Sequence, residues 1–214
     1  MGEVSAATMR ELIFNGAPVK VLNPINREFE FRPLIEPVKD VDGEFIEGSA
    51  FDFRAHVVYR GVAKNGFMPY MGENTDEDLR EFTEVQEIQP QFDEEKKTMV
   101  WILRPNKRYL VESLETVNTP WYMRCIPRQK SSVLRMFCNL IYSSAHPGYC
   151  GPIIGLLDIG EFGMRLKVDS KVAYVTFSTF ESDTVVDDID LYDKRANWGT
   201  GKNIVIPESG RIER

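Results

Sequence analysis

The chain has 214 residues, of which 26 are Lys or Arg and 33 are Asp or Glu, so its formal net charge is −7. A chain with this balance does not neutralise phosphates over a broad surface, which excludes a protein that coats nucleic acid. Hydrophobic residues make up 43% of the sequence and aromatic residues 11%, enough for the packed core of a single domain over residues 1–214.

Two classes of protein are further excluded by what the sequence lacks. No segment approaches the roughly 20 consecutive apolar residues of a membrane helix, and the first residues do not form a secretion signal. We therefore expect a cytoplasmic protein without a membrane partner. The three cysteines, Cys125, Cys138 and Cys150, form no CxxC pair, so neither a zinc site nor a disulfide framework is predicted.

Residues 5–14 predict a short N-terminal helix, in which Ser5 caps the first turn and Met9, Leu12 and Ile13 share one face. The helical period then disappears, and β-rich runs predict strands at 53–59, 98–103, 153–157, 164–168 and 171–177. Turn signals separate these runs at 42–43, 64–66, 105–106, 147–148 and 169–170. A mostly β fold follows, a barrel or sandwich with one central helix at 131–140.

Two segments stand apart from this pattern. Residues 73–97 are acidic and polar without clear strand alternation, which predicts a surface insertion or a solvated loop. Residues 192–214 contain the glycine-rich stretch NWGTGK at 197–202, which predicts a C-terminal arm that orders on binding.

The charges are unevenly distributed along the chain. No carboxylate lies between Glu115 and Asp158, whereas this window contains the cations Arg124, Arg128, Lys130 and Arg135. Such a concentration of cations in an acidic protein could hold a small polyanion. A set of core strands with few charges of either sign would explain the window equally well.

Two motifs inside this window could carry chemistry. In residues 128–135 (RQKSSVLR), Ser131 and Ser132 would open a helix whose backbone N–H groups and hydroxyls meet an anion, with Lys130 and Arg135 as charged donors. The alternative is a helix cap followed by surface cations. In residues 145–151 (AHPGYCG), a Pro-Gly turn could present the ring of Tyr149 to a sugar or base, and His146 could act as a base near neutral pH unless it is structural.

Three segments, in order, resemble the dCTP deaminase and dUTPase superfamily. Residues 48–54 (GSAFDFR) are similar to its S-x-D-L-R motif, residues 108–117 and 128–135 to the run that ends in G-[RK]-S-S-x-x-R, and residues 146–151 (HPGYCG) to D-P-G-[YW]-x-G. Residues 5–18 and 192–202 also resemble the N-terminal helix and the C-terminal arm of the deaminase branch. This likeness spans most of the chain outside the acidic segment.

The resemblance implies a distorted β-barrel or jelly-roll subunit of the dUTPase-like type, assembled as a homotrimer with nucleotide sites at the subunit boundaries. Lys130, Ser131, Ser132 and Arg135 would hold the triphosphate, and Tyr149 would lie against the deoxyribose and disfavour a ribose. The remaining implied residues either support the site or close over the ligand: Asp52 and Arg54 support it, and the segment from Trp198 to Lys202 closes it. Mg²⁺ would arrive with the nucleotide phosphates.

The residues that transfer protons in this superfamily differ here. His146 stands where the diphosphatase branch has an aspartate, Gly155 or Leu156 stands where the deaminase branch has a glutamate, and Tyr174 replaces a glutamine. One hypothesis is therefore an enzyme that hydrolyses or deaminates a deoxynucleoside triphosphate with His146, or Asp158 of another subunit, as a non-standard base. Two further hypotheses are a catalytically inactive protein that sequesters or senses a nucleotide, and a structural trimer.

Overall fold

The computed structural model describes residues 2–13, 19–22, 29–36, 46–47, 50–63, 83–120 and 122–179. The helices are α1 (Ala6–Ile13) and α2 (Ser131–Arg135). The strands are β1 (Gly2–Glu3), β2 (Val19–Leu22), β3 (Phe29–Arg32), β4 (Ile35–Glu36), β5 (Ile46–Glu47), β6 (Ala50–Ala63), β7 (Thr83–Glu87), β8 (Gln91–Asp93), β9 (Thr98–Leu103), β10 (Arg108–Asn118), β11 (Met123–Gln129), β12 (Asn139–Tyr142), β13 (Cys150–Asp158), β14 (Met164–Lys167) and β15 (Lys171–Thr179).

The central sheet is antiparallel and runs in the order β1-β15-β6-β10-β13-β12. β11 pairs with β15, β4 with β10, and both β5 and β7 with β6. A bridge between Cys125 and Ala145 brings the β12 side of the sheet back to β11, and the Leu140 N–H donates to the Gln129 side chain (2.6 Å). The sheet is therefore curled into a nearly closed barrel, and the predicted mostly β, barrel-like fold class is confirmed.

Strand β6 connects the two halves of this barrel. Its first residues pair with β15, where Phe51 lies opposite Val175, and its middle pairs with β10, where Val58 lies opposite Val111. β6 is therefore long enough for its first part and its middle to contribute to different halves of the barrel. The core is apolar and includes Phe53, Trp101, Leu157 and Phe177, all nearly inaccessible to solvent.

The predicted strands are present with small shifts at their ends, and 98–103 is reproduced without change. The N-terminal helix is also confirmed, since the Thr8 N–H donates to Ser5 Oγ (3.2 Å). The turn at 147–148 contains Gly148 at φ 83, a left-handed conformation that glycine adopts without steric cost.

The predicted central helix was wrong in its extent. The central helix stops at Arg135 rather than at residue 140, because Asn139–Tyr142 pairs with β13. The described part of the acidic segment is not a loop throughout: Thr83–Glu87 pairs with β6, and Gln91–Asp93 pairs with β9. Residues 73–82 and the predicted arm 192–214 lie outside the described residues.

Candidate functional site

The predicted phosphate-binding segment forms the tip of the β11–α2–β12 hairpin. The Lys130 N–H donates to the Val172 carbonyl (3.0 Å), and the Lys130 carbonyl accepts from the Val133 N–H (3.0 Å). Ser131, Ser132 and Arg135 are exposed, and within the described part of the chain no residue hydrogen-bonds to their side chains. We call residues 130–137 the hairpin tip; it presents two hydroxyls and a guanidinium to solvent.

The ammonium group of Lys130 is already engaged by a carboxylate. Lys130 Nζ lies 2.6 Å from Asp52 Oδ1, and Lys171 Nζ lies 3.6 Å from Asp52 Oδ2. Asp52 reaches this position because it pairs with Tyr174, which in turn pairs with Arg128 on β11. The Asp52 side chain is 8% exposed, so its carboxylate is largely removed from solvent beside the two lysines.

Arg54, which the resemblance placed in support of the site, contacts an interior carboxylate instead of the hairpin tip. Its Nε lies 2.5 Å from Glu115 Oε1, and its backbone N–H donates to Glu115 Oε2 (2.9 Å). The Glu115 side chain is fully buried. This ion pair therefore belongs to the structure of the barrel at the point where β6 passes from one half to the other.

An irregularity in β10 turns Glu115 inward. The register of β10 against β13 shifts between Glu112 and Thr116. The Ser113 hydroxyl stabilises this bulge by donating to the Glu115 carbonyl (2.6 Å) and accepting from the Ile153 N–H (2.9 Å). A bulge changes the direction of side chains along a strand, which is why Glu115 lies in the core. Sequence reasoning missed Glu115, whose only signal is a carboxylate among the apolar residues of the run 109–117.

The turn at 146–149 holds Tyr149 firmly. The Tyr149 N–H donates to the His146 carbonyl (3.1 Å), and its carbonyl accepts from the Thr119 N–H (2.8 Å). Its hydroxyl donates to the Pro152 carbonyl. The His146 side chain is exposed, and no hydrogen bond joins its ring to another described residue. His146 thus has no partner in the described structure that would orient it as a base.

A second carboxylate that sequence reasoning missed lies near Tyr149. Glu112 is half-buried on β10, opposite Ile154, and its Oε2 accepts a hydrogen bond from the Tyr59 hydroxyl (3.0 Å). Burial raises the pKa of Tyr149 above its ordinary value, and the negative charge of Glu112 adds to this effect. The strand alternation of β10 was the available signal, since it directs Glu112 away from the core side chain of Val111.

The hairpin tip and the turn lie at opposite ends of one hairpin. Cys125 is bridged to Ala145, next to the turn, whereas Gln129 contacts Leu140, next to the tip. Gln129 follows Cys125 by four positions on β11, which is about 13 Å along a strand. Lys130 and Tyr149 therefore lie next to opposite ends of this hairpin.

An unusual residue occupies the position that follows the C-cap of α2. The Cys138 N–H donates to the Val133 carbonyl (3.3 Å), and the Phe137 N–H donates to the Leu134 carbonyl (2.9 Å). These two bonds form a Schellman motif, in which the residue that adopts the left-handed conformation is usually glycine. Here it is Phe137, with φ 57. Such a conformation costs about 1–2 kcal/mol for a residue with a Cβ.

Phe137 also leads a group of exposed apolar side chains at the hairpin tip. Its ring is 72% exposed and meets the 68% exposed ring of Phe162 edge to face, with centroids 5.6 Å apart. Leu134 and Met136 are exposed beside it. Apolar groups exposed together in this way are typical of binding surfaces.

The remaining predicted features fall outside what the structure describes or find no protein ligands. Trp198 and Lys202 lie beyond the described residues. Among the residues that are described, no group of three or more His, Cys, Asp or Glu side chains could hold a metal ion. None of the described helices is long and apolar enough to cross a membrane.

Comparison with known proteins identifies the fold. No protein-family model matches the sequence, and no curated protein matches it. The crystal structure of 2'-deoxycytidine 5'-triphosphate deaminase from Agrobacterium tumefaciens is similar, with a TM-score of 0.56 and 16% sequence identity over 90% of this chain and 52% of that chain. The chain thus spans about half the length of that protein. It has a dCTP deaminase/dUTPase-like fold.

Proposed function

We propose that this chain binds a deoxynucleoside triphosphate through the hairpin tip. The observation that carries the proposal is the exposure of the Ser131 and Ser132 hydroxyls and the Arg135 guanidinium beside Lys130. Hydroxyl groups donate to phosphate oxygens, and an arginine can bind two of them at once. The dCTP deaminase-like fold supports the same ligand class.

The electrostatics of the hairpin tip suit a phosphate chain. Lys130 and Lys171 share the charge of Asp52, whereas no ion pair joins Arg135 to another described residue. An incoming phosphate therefore competes with Asp52 for the lysines, whereas no described carboxylate competes with it for Arg135. Arg135 should contribute most to affinity.

The separation of the hairpin tip from Tyr149 supports a site shared between subunits. In a homotrimer, the tip of one subunit would hold the phosphates while Tyr149 of the next lies against the deoxyribose. Trp198 and Lys202 would close over the ligand. We propose a homotrimer in the cytoplasm. Sedimentation at several concentrations tests the trimer, because it measures the mass of the assembly.

Calorimetry with the four deoxynucleoside triphosphates tests the binding itself. We expect wild type to bind at least one of them, and Arg135→Ala to weaken that binding about tenfold, as the loss of one charge-assisted contact of roughly 1.4 kcal/mol would do. Lys96→Ala is the matched control, because Lys96 is an exposed cation paired with Glu95 on another loop. Absence of binding in wild type, or equal losses in the two variants, would reject the proposal and favour a structural trimer.

Catalysis is a second candidate function, and Glu112 is the observation that favours it. A carboxylate near Tyr149 could accept a proton from an attacking water, a role that neither Gly155 nor Leu156 can fill. Glu112→Gln should then leave nucleotide affinity within about twofold and abolish hydrolysis or deamination. His146→Asn tests the other candidate base. A wild-type protein that binds nucleotide without turnover would identify a binding protein instead.

A further inference from the structure

We propose that Phe137 and Phe162 form a stacking platform for the base of the bound nucleotide. The platform rests on the proposed function, because it requires a nucleotide whose phosphates lie on the same hairpin tip. It adds a site for the base to residues that were predicted to contact phosphates. It also gives a role to two exposed aromatic rings that the fold itself does not require.

The geometry of the two rings suits a planar ligand. Phe137 follows α2, Phe162 lies on the loop between β13 and β14, and their rings meet edge to face at 67°. An edge-to-face pair leaves the outer face of at least one ring free, and stacking on an aromatic face accepts any base. The platform would therefore contribute affinity more than base selectivity.

The backbone around Phe137 is fixed before any ligand arrives. A Cβ at Gly160 would overlap the Phe137 carbonyl oxygen, so only glycine allows the two loops to approach this closely. The hydrogen bonds of the Schellman motif hold Phe137 from the other side. A preformed platform loses little conformational freedom when a ligand binds.

The identity of Phe137 points to function rather than folding. Its position favours glycine, and its ring is mostly exposed, so burial in the core does not compensate for the backbone strain. Strain of this kind persists where another requirement outweighs it and is frequent at binding sites. Because the backbone at this position favours glycine, the presence of an exposed phenylalanine indicates that its ring has a function.

The platform lies within reach of a nucleotide held at the serines. Phe137 is two residues beyond Arg135, the last residue of α2, and follows the C-cap Met136 directly. A ligand whose phosphates contact Ser131 and Arg135 can therefore lay its base on Phe137. This continuity with the phosphate-binding residues favours a nucleotide base over a protein partner as the occupant.

Two variants and two kinds of ligand test the platform. Phe137→Gly removes the ring and places glycine at a left-handed position, so we expect a higher Tm, and Phe162→Leu removes the second ring. Each should weaken binding of the deoxynucleoside triphosphate that wild type binds best by about tenfold. Binding of inorganic tripolyphosphate, which has no base, should stay within about twofold. Phe92→Leu, at another exposed aromatic residue, should change neither affinity.

The possible results separate this inference from the proposed function. Loss of nucleotide affinity with tripolyphosphate affinity retained supports the platform. Unchanged nucleotide affinity in Phe137→Gly overturns the platform and leaves nucleotide binding in place. A change of sedimentation without a change of nucleotide affinity also overturns it, because the rings would then contact another copy of the chain. Wild type that binds neither ligand overturns both proposals.

Discussion

Two ion pairs on strand β6, only two residues apart, have opposite surroundings. Arg54 contacts the fully buried Glu115 in the interior of the barrel, where the arginine side chain is 14% exposed. Asp52 contacts Lys130 and Lys171 at the edge of the hairpin tip, where both lysines are partly exposed. The same strand thus supplies one residue to a pair enclosed in the core and one buried carboxylate to a pair whose lysines reach solvent.

The difference shows how burial assigns a role to a charged residue. A buried charge must keep its partner, because leaving it alone in a medium of low polarity is costly. Lys130 and Lys171 reach solvent and share the buried Asp52 carboxylate, so one of them can turn towards a phosphate while the other keeps Asp52 paired. The interior pair is therefore structural, whereas the pair at the hairpin tip can take part in binding.

The largest effect is expected from Glu115→Gln. The substitution leaves the Arg54 guanidinium in the interior without its carboxylate, which should lower the free energy of unfolding by about 3–5 kcal/mol. Urea denaturation measures the loss. The double variant Arg54→Met with Glu115→Gln removes both charges and should lose less than the single variant. A single variant as stable as wild type would contradict a structural role for this pair.

Asp52→Asn at the hairpin tip should reduce stability less than Glu115→Gln does, and it should strengthen the binding of an anion. The free energy of unfolding should fall by about 1–2 kcal/mol, because one charged hydrogen bond is weakened while both lysines can turn to solvent. Tripolyphosphate should bind about threefold more tightly, since a repelling charge several ångströms away is removed. Calorimetry at two salt concentrations measures this gain, which should shrink at high salt. Weaker binding would show instead that Asp52 positions Lys130 for the ligand.

The strands were predictable because their signal is local. The run at 98–103 alternates over a few residues, and those residues form one strand with the expected ends. The helix predicted at 131–140 is too long for two reasons. Val133, Met136 and Leu140 keep a helical spacing, and Phe137 rather than glycine occupies the position after the C-cap. What ends the helix is the pairing of Asn139–Tyr142 with β13, which residues 131–140 alone do not reveal.

The sequence indicates candidate site residues but not the residues that contact them in the fold. Lys130, Ser131, Ser132 and Arg135 were identified from eight consecutive residues. The carboxylate on Lys130 comes from 78 positions away, and the one on Arg54 from 61 positions away. The window without acidic residues is therefore not free of carboxylates in space, since Asp52 enters it from β6. Contacts between residues this far apart in the sequence are determined by the order of the strands in the sheet.

The smallest effect is expected from an ion pair on the separate three-stranded sheet β14-β9-β8, between Asp93 and the mostly exposed Arg165 (3.1 Å). The Lys96 N–H, chiefly, and the Arg165 charge hold the pKa of Asp93 below its usual value of 3.8. Such a carboxylate stabilises the fold above the pKa of the unfolded chain, and that contribution disappears as the pH falls through the lower folded pKa.

Asp93→Asn should therefore melt slightly below wild type at pH 7, and the two melting temperatures should converge as the pH falls below 4. Thermal melts across this range measure the difference. Glu94→Gln is the matched control, because its partner Lys97 is as exposed as the glutamate itself. A constant difference between Asp93→Asn and wild type down to acid pH would place the effect in side-chain packing rather than in charge, and would remove this pair from the comparison of buried and exposed ion pairs.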